Sequence, residues 1–257
     1  MSEQKTPHEQ VASPSFTLPT LDQDFLLGDS TRGIRFMLEY MKAEEHLREW
    51  GVRSTIVAFG SARVKEDDEG KRGHWYRSAR EIGRIVSERG GALEHDAELR
   101  DNVIATGGGP GIMEAANKGA FEAGAPSIGF NITLPHEQDP NAWSTPDLTF
   151  NFHYFAMRKM HLAMRANGLV VFPGGFGTMD ELFEILTLVQ TGKMSAIPIV
   201  LFDWDFWNRV VNLDVFVEAG YISAVYVFLF LFAVTSVESW EHLVKGGILH
   251  ETRRQAD

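Results

Sequence analysis

The chain of 257 residues is 44% hydrophobic and 23% charged, which is ordinary for a globular protein and enough to bury one sizeable core. Its formal net charge of −11 opposes non-specific binding to nucleic acid or to an anionic membrane, so an anionic ligand needs a local site. It contains no cysteine, which excludes disulfides, thiolate metal sites and cysteine nucleophiles and suits a cytoplasmic protein. Residues 1–28 are polar and broken by Pro7, Pro14 and Pro19. They read as a flexible arm without the apolar core of a signal peptide. Residues 29–257 read as one domain. A helix is expected from Asp29 or Ser30 to about Trp50, then a buried strand over Ser54 to Gly60. His74 to Glu88 carries helical spacing and stops at Gly90-Gly91. Leu93 to Arg100 is acidic and reads as an exposed helix end or loop.

The following segments alternate between strand and helix. Asn102 to Thr106 reads as a strand, Gly107 to Gly109 as a turn, and Gly111 to Ala123 as a helix. Pro126 to Leu134 and Leu148 to Phe152 read as strands, and Tyr154 to Ala166 as a helix. Gly168 to Phe172 is a strand, Pro173 to Gly177 a turn, and Thr178 to Thr191 a helix. Ile197 to Phe202 is a strand, followed by a helix near Phe206 to Ala219. The longest apolar run, Ala224 to Val234, is far short of the ~20 residues of a membrane helix. It reads as a buried strand or a subunit interface. Glu238 to Val244 is the last helix. Nearly continuous apolar strands alternating with helices predict a doubly wound parallel sheet covered on both faces, an α/β Rossmann-like domain.

In such sheets ligands bind at the carboxyl ends of the strands. Three glycine-bearing turns fall there: Gly60 to Arg63, Thr106 to Gly111, and Pro173 to Thr178. Glycines let a ligand approach backbone amides, and a helix start offers free N–H groups with a positive dipole end, which suits a phosphate. A tight turn without ligand is the plainer reading of any one such loop. Neither later loop fits the dinucleotide fingerprint or a P-loop, and no G-x-S-x-G elbow or H-E-x-x-H helix occurs. Thr178 to Glu181 spells S/T-x-x-E, so on spacing Glu181 reads first as half of a capping box. Its place beside the phosphate-type loop also puts it where a sugar would sit. Tyr154, Arg158, His161 and Arg165 share one helical face, which ordinarily means solvent exposure; Ala156, Met160, Ala163 and Met164 form a stripe that reads as core. Arg158 stands out because its helix leads directly into the glycine-rich strand end.

The run Pro173-Gly174-Gly175-Phe176-Gly177-Thr178-Met179-Asp180-Glu181 matches P-G-G-x-G-T-x-x-E. With Met157 to Met160, Gly107 to Glu114 and Gly60-Ser61-Ala62 in order, the chain resembles the Lonely Guy (LOG) family of cytokinin riboside 5′-monophosphate phosphoribohydrolases, whose members long carried the name lysine decarboxylase. The similarity runs from about Thr55 to Phe202. It implies hydrolysis of a nucleoside 5′-monophosphate, such as AMP, to free base and ribose 5-phosphate, with no metal or cofactor. By resemblance Arg158 and Glu181 form the catalytic pair. Gly174, Gly175, Gly177 and Thr178 bind phosphate, and Gly60, Ser61, Gly108, Gly109, Met113 and Glu114 complete the nucleotide site. The family also implies a homo-oligomer, a dimer or larger. Binding modules of the same fold, including molybdenum-cofactor carriers, are the alternative, and a pyridoxal-phosphate decarboxylase is a remote third, since Lys159 and Lys193 have no distinguishing context.

Overall fold

The computed structural model describes residues 7–93, 99–134 and 139–249. The acidic segment expected around Leu93 to Arg100 lies largely outside them. The chain divides into two compact units at Lys42. In the first, α1 (Pro7–Val11) and α2 (Gln23–Leu27) are short, and Asp22 caps α2 by accepting from the Phe25 amide. A single turn at Asp29–Thr31 leads into α3 (Arg32–Glu49).

The second unit holds β1 (Thr55–Phe59), α4 (Gly70–Arg89), β2 (Val103–Thr106), α5 (Ile112–Glu122), β3 (Ser127–Ile132), β4 (Thr149–Phe152), α6 (Phe155–Met164), β5 (Ala166–Val171), α7 (Phe176–Gln190), β6 (Ile199–Phe202), α8 (Trp204–Val210), α9 (Leu213–Glu218), β7 (Phe230–Ala233) and α10 (Ser236–Lys245). The seven strands form one sheet in the order β4-β3-β2-β1-β5-β6-β7, every pairing parallel. The Rossmann-like α/β expectation holds. The β-branched runs alternate between two cores, as the pleat requires. Val57, Phe59, Leu169 and Val171 enter one; Ile56, Ala58, Val170 and Phe172 enter the other. The winding direction reverses between β1 and β5, so the turns after these two strands flank the crevice where such sheets take ligands.

Two expected elements change. The helix expected near Phe206 to Ala219 is two, α8 and α9, broken at Val211 and Asn212. The apolar run Ala224 to Val234 is a 3₁₀ turn, Ala224–Phe228, followed by the edge strand β7. Its first half is not a buried strand: Phe228 is 82% exposed. An edge strand has one neighbour, and here Phe230 and Ala233 are buried while Leu231 is exposed. Among the described residues, no helix is long and apolar enough to cross a membrane.

Candidate active site

The turn after β1 joins the other two through one residue. The Ser61 amide donates to the Pro173 carbonyl at 3.0 Å, and the Ser61 carbonyl accepts from the Ile112 amide at 3.1 Å. Backbone bonds thus tie together the three glycine turns that the sequence scatters over more than a hundred residues. They leave a cleft of about 720 Å³. Of the candidate residues, Gly60, Ser61, Met113, Arg158, Gly174, Gly175, Gly177, Thr178 and Glu181 line it.

The turn after β5 opens into this cleft. Gly175 stands at the N-cap of α7, and no side chain caps the helix there. The first-turn N–H groups and the positive dipole end therefore face a site wide enough for an anion. Gly174 is required by packing, since a Cβ would come within 2.0 Å of Thr178 Oγ1. Glu181 lies in the second turn of α7, beyond the reach of a capping box, and the capping reading of Thr178 to Glu181 does not hold. The helix begins at Phe176, two residues before that reading places its cap.

Glu181 is 5% exposed. Its Oε1 lies 3.4 Å from Arg158 Nη1. Burial pushes the Glu181 carboxyl up to about 7, against the opposing pull of Arg158 and Lys159. Burial likewise lowers the Arg158 pKa, opposed by Glu181 and Asp180. The Arg158 Nε–H donates to the Phe130 carbonyl at 2.9 Å, and Gly107 leaves room for its other nitrogen, where a Cβ would stand 2.6 Å from Nη2. Arg158 is therefore no surface arginine, and the expected polar face of its helix is not solvated. His161 is 1% exposed, stacks on Phe130 and lies tilted against Phe152. Arg165 pairs with Glu44 at 2.8 Å. The expected core stripe fails as well: Ala156 is exposed and Met160, Ala163 and Met164 are half-buried. Packing against β3 and β4 rotates α6 so that His161 and Leu162 face inward. Glu184, one turn beyond Glu181, pairs with Lys159 at 3.2 Å.

Gly108, Gly109 and Glu114 are not among the cleft-lining residues. Gly108 is buried at φ +71°, and a Cβ there would meet the Asn131 amide at 2.3 Å. Asn141 holds this turn from outside, its amide donating to the Gly108 carbonyl and its side chain to that of Gly109. Glu114 accepts from the Tyr76 hydroxyl at 3.3 Å. Conversely, Arg63, Phe155 and Phe176 line the cleft though none was singled out as a ligand contact. Arg63 directly follows Gly60-Ser61-Ala62, and Phe176 is the variable position of the P-G-G-x-G-T run.

Residues 113–243 match the family described as "Possible lysine decarboxylase". The chain is 29% identical over 177 residues to the "Probable cytokinin riboside 5′-monophosphate phosphoribohydrolase LOG4" of Oryza sativa subsp. japonica, covering 67% of this chain and 68% of that protein. It is 28% identical over 148 residues to the cytokinin riboside 5′-monophosphate phosphoribohydrolase LOG1 of Arabidopsis thaliana, covering 55% and 68%. Among solved structures, the molybdenum cofactor binding protein of the phototrophic bacterium Rippkaea orientalis superposes with a TM-score of 0.50 at 18% identity, covering 75% of this chain and 96% of that one. That likeness speaks for the fold.

Proposed function

The chain belongs to the family described as possible lysine decarboxylase, and from that premise we propose that it hydrolyses the N-glycosidic bond of a nucleoside 5′-monophosphate, AMP or a cytokinin riboside monophosphate, to free base and ribose 5-phosphate. The observation that carries this reading is the buried Arg158–Glu181 pair in the same cleft as the uncapped start of α7. Cleavage leaves positive charge on the ribose ring, as in glycoside hydrolysis. A water oxygen bonds to the anomeric carbon, and the bonding pair leaves with the base nitrogen, which takes up a proton. Glu181, its carboxyl raised by burial to about 7, stabilises the cation in its ionised form and orients the water in a desolvated site, where its charge acts strongly. Arg158 holds that carboxylate and turns its remaining N–H donors to the ribose or the departing base. The phosphate sits on the amides of Gly174, Gly175, Gly177 and Thr178, remote from the broken bond, and its binding energy aligns the ribose. Gly60, Ser61 and Met113 complete the nucleotide wall, and Gly108, Gly109 and Glu114 support it from behind. On this reading the reaction draws on no metal or cofactor, and the protein works as a cytoplasmic homo-oligomer.

Amino-acid decarboxylation, which the family description evokes, calls for a carbonyl cofactor held on a lysine. Among the described residues no lysine lines the cleft, and Lys159 is engaged by Asp180 and Glu184. The cleft does not fit that chemistry. The test is to incubate the protein with AMP or adenosine and quantify free adenine. We expect kcat/KM for AMP to exceed that for adenosine by orders of magnitude, since several charge-assisted bonds of roughly 1.5–3 kcal/mol each are lost without the phosphate. Equal values would make it an ordinary nucleosidase. Binding of AMP without adenine release would make it a nucleotide or molybdenum-cofactor binding protein of the same fold.

A further inference from the structure

The charged residues lining the cleft are Arg63, Arg158, Asp180 and Glu181. Arg158 and Glu181 face each other at 3.4 Å, and Asp180 is held by Lys159 at 2.7 Å. Arg63, exposed at the cleft, has no ion-pair partner among the described residues. Its neighbours behave differently: Arg72 pairs with Asp68, and Arg80 with Glu66 and Glu122. The backbone of Arg63 is nevertheless fixed. Its amide donates to Ser61 Oγ at 3.1 Å, and its carbonyl accepts from the Arg72 guanidinium. Ser61 in turn is hydrogen-bonded to Pro173, at the head of the glycine turn. The structure therefore anchors the Arg63 backbone beside the uncapped start of α7 while leaving its guanidinium uncommitted.

A phosphate monoester bound on α7 carries close to two negative charges at neutral pH. The helix dipole offers about half a positive charge against them, Arg158 is turned to the Glu181 carboxyl, and the chain as a whole carries −11. We propose that Arg63 closes over the 5′-phosphate of the bound nucleotide and serves as its charge-neutralising clamp. The guanidinium fork matches two phosphate oxygens while the α7 amides take the others. This deepens the phosphoribohydrolase reading and rests on it for the identity of the ligand. The recognition itself needs nothing beyond a ribose 5-phosphate group.

The test measures binding of ribose 5-phosphate, AMP and adenosine by calorimetry to wild type, Arg63→Ala and Arg63→Lys, with adenine release from AMP alongside. Arg63→Ala should weaken ribose 5-phosphate and AMP roughly tenfold to a hundredfold. The ratio of AMP to adenosine affinity should fall by the same factor, and the salt dependence of AMP binding should flatten. Arg63→Lys, which keeps the charge and loses the fork, should fall between. A melting temperature matching wild type would show both variants folded. Unchanged affinity of Arg63→Ala for ribose 5-phosphate would overturn the clamp and leave any measured hydrolysis standing. Loss of phosphate affinity in a protein that releases no adenine would sustain the clamp and sink the hydrolase. A wild type that binds neither phosphate compound would overturn both.

Discussion

The turns after β2 and β5 are built alike. Each follows a buried apolar strand, carries consecutive glycines and leads into a helix. In the turn after β5, Gly175 and Gly177 are exposed, and a Cβ on either would meet nothing within 4 Å. In the turn after β2, Gly108 is buried against Asn131, and Asn141 holds the carbonyls of Gly108 and Gly109. Past Gly174, which packs on Thr178, the first turn leaves its glycines open, whereas the second is filled by the protein's own side chains. A glycine admits a close neighbour, and the three-dimensional surroundings decide whether that neighbour is ligand or protein.

The contrast is sharpest at Glu181, on the helix that the open turn begins. Glu181→Gln should cut adenine release from AMP roughly a hundredfold to a thousandfold while calorimetry shows AMP still bound. The wild-type rate should also rise with pH through about 7, where the Glu181 carboxyl loses its proton. The sign follows from the role: below that pH the buried carboxyl is neutral and cannot stabilise a ribosyl cation. The residual rate of the glutamine variant should lack this rise. A rate that falls with pH across the same interval would assign Glu181 as a proton donor instead.

Gly108→Ala tests the packed turn. The residue sits at φ +71° with the Asn131 side chain in the way of a Cβ, so the substitution combines left-handed strain with a local overlap. We expect a loss of about 1–3 kcal/mol, read as a lower denaturation midpoint, with AMP affinity per folded molecule little changed. A variant as stable as wild type but weak in AMP would move this turn to the ligand side. Gly177→Ala should do the reverse and more gently. It lies in the first turn of α7 with open space around it, so the fold should gain a few tenths of a kcal/mol from the better helix former. The added methyl crowds the approach to the amides, and AMP should bind about fivefold to tenfold more weakly, of the order of one hydrogen bond. Unimpaired binding would mean the phosphate does not approach there.

The alternation of apolar strands and helices, and the glycine turns at strand ends, are local properties. Backbone sterics and burial act within a few residues, so the strands from β1 to β6 and the cleft-lining runs Gly60-Ser61 and Gly174 to Thr178 could be read directly from the chain. What the tertiary structure decided depends on neighbours far away in sequence. The spelling of Thr178 to Glu181 permits a capping box, but α7 starts at Phe176 and delivers Glu181 to Arg158 on another helix. The spacing of α6 marks Arg158, His161 and Arg165 as one polar face without saying what lies opposite. Phe130, Phe152 and Glu44 supply that answer by packing their rings on His161 and pairing with Arg165. The same holds for the glycine turns. Their flexibility is written in the sequence, whereas the Ser61 bonds that draw all three together, and the Asn131 and Asn141 contacts that leave one of them packed against the protein, exist once the parallel sheet has brought the strand ends to a common edge.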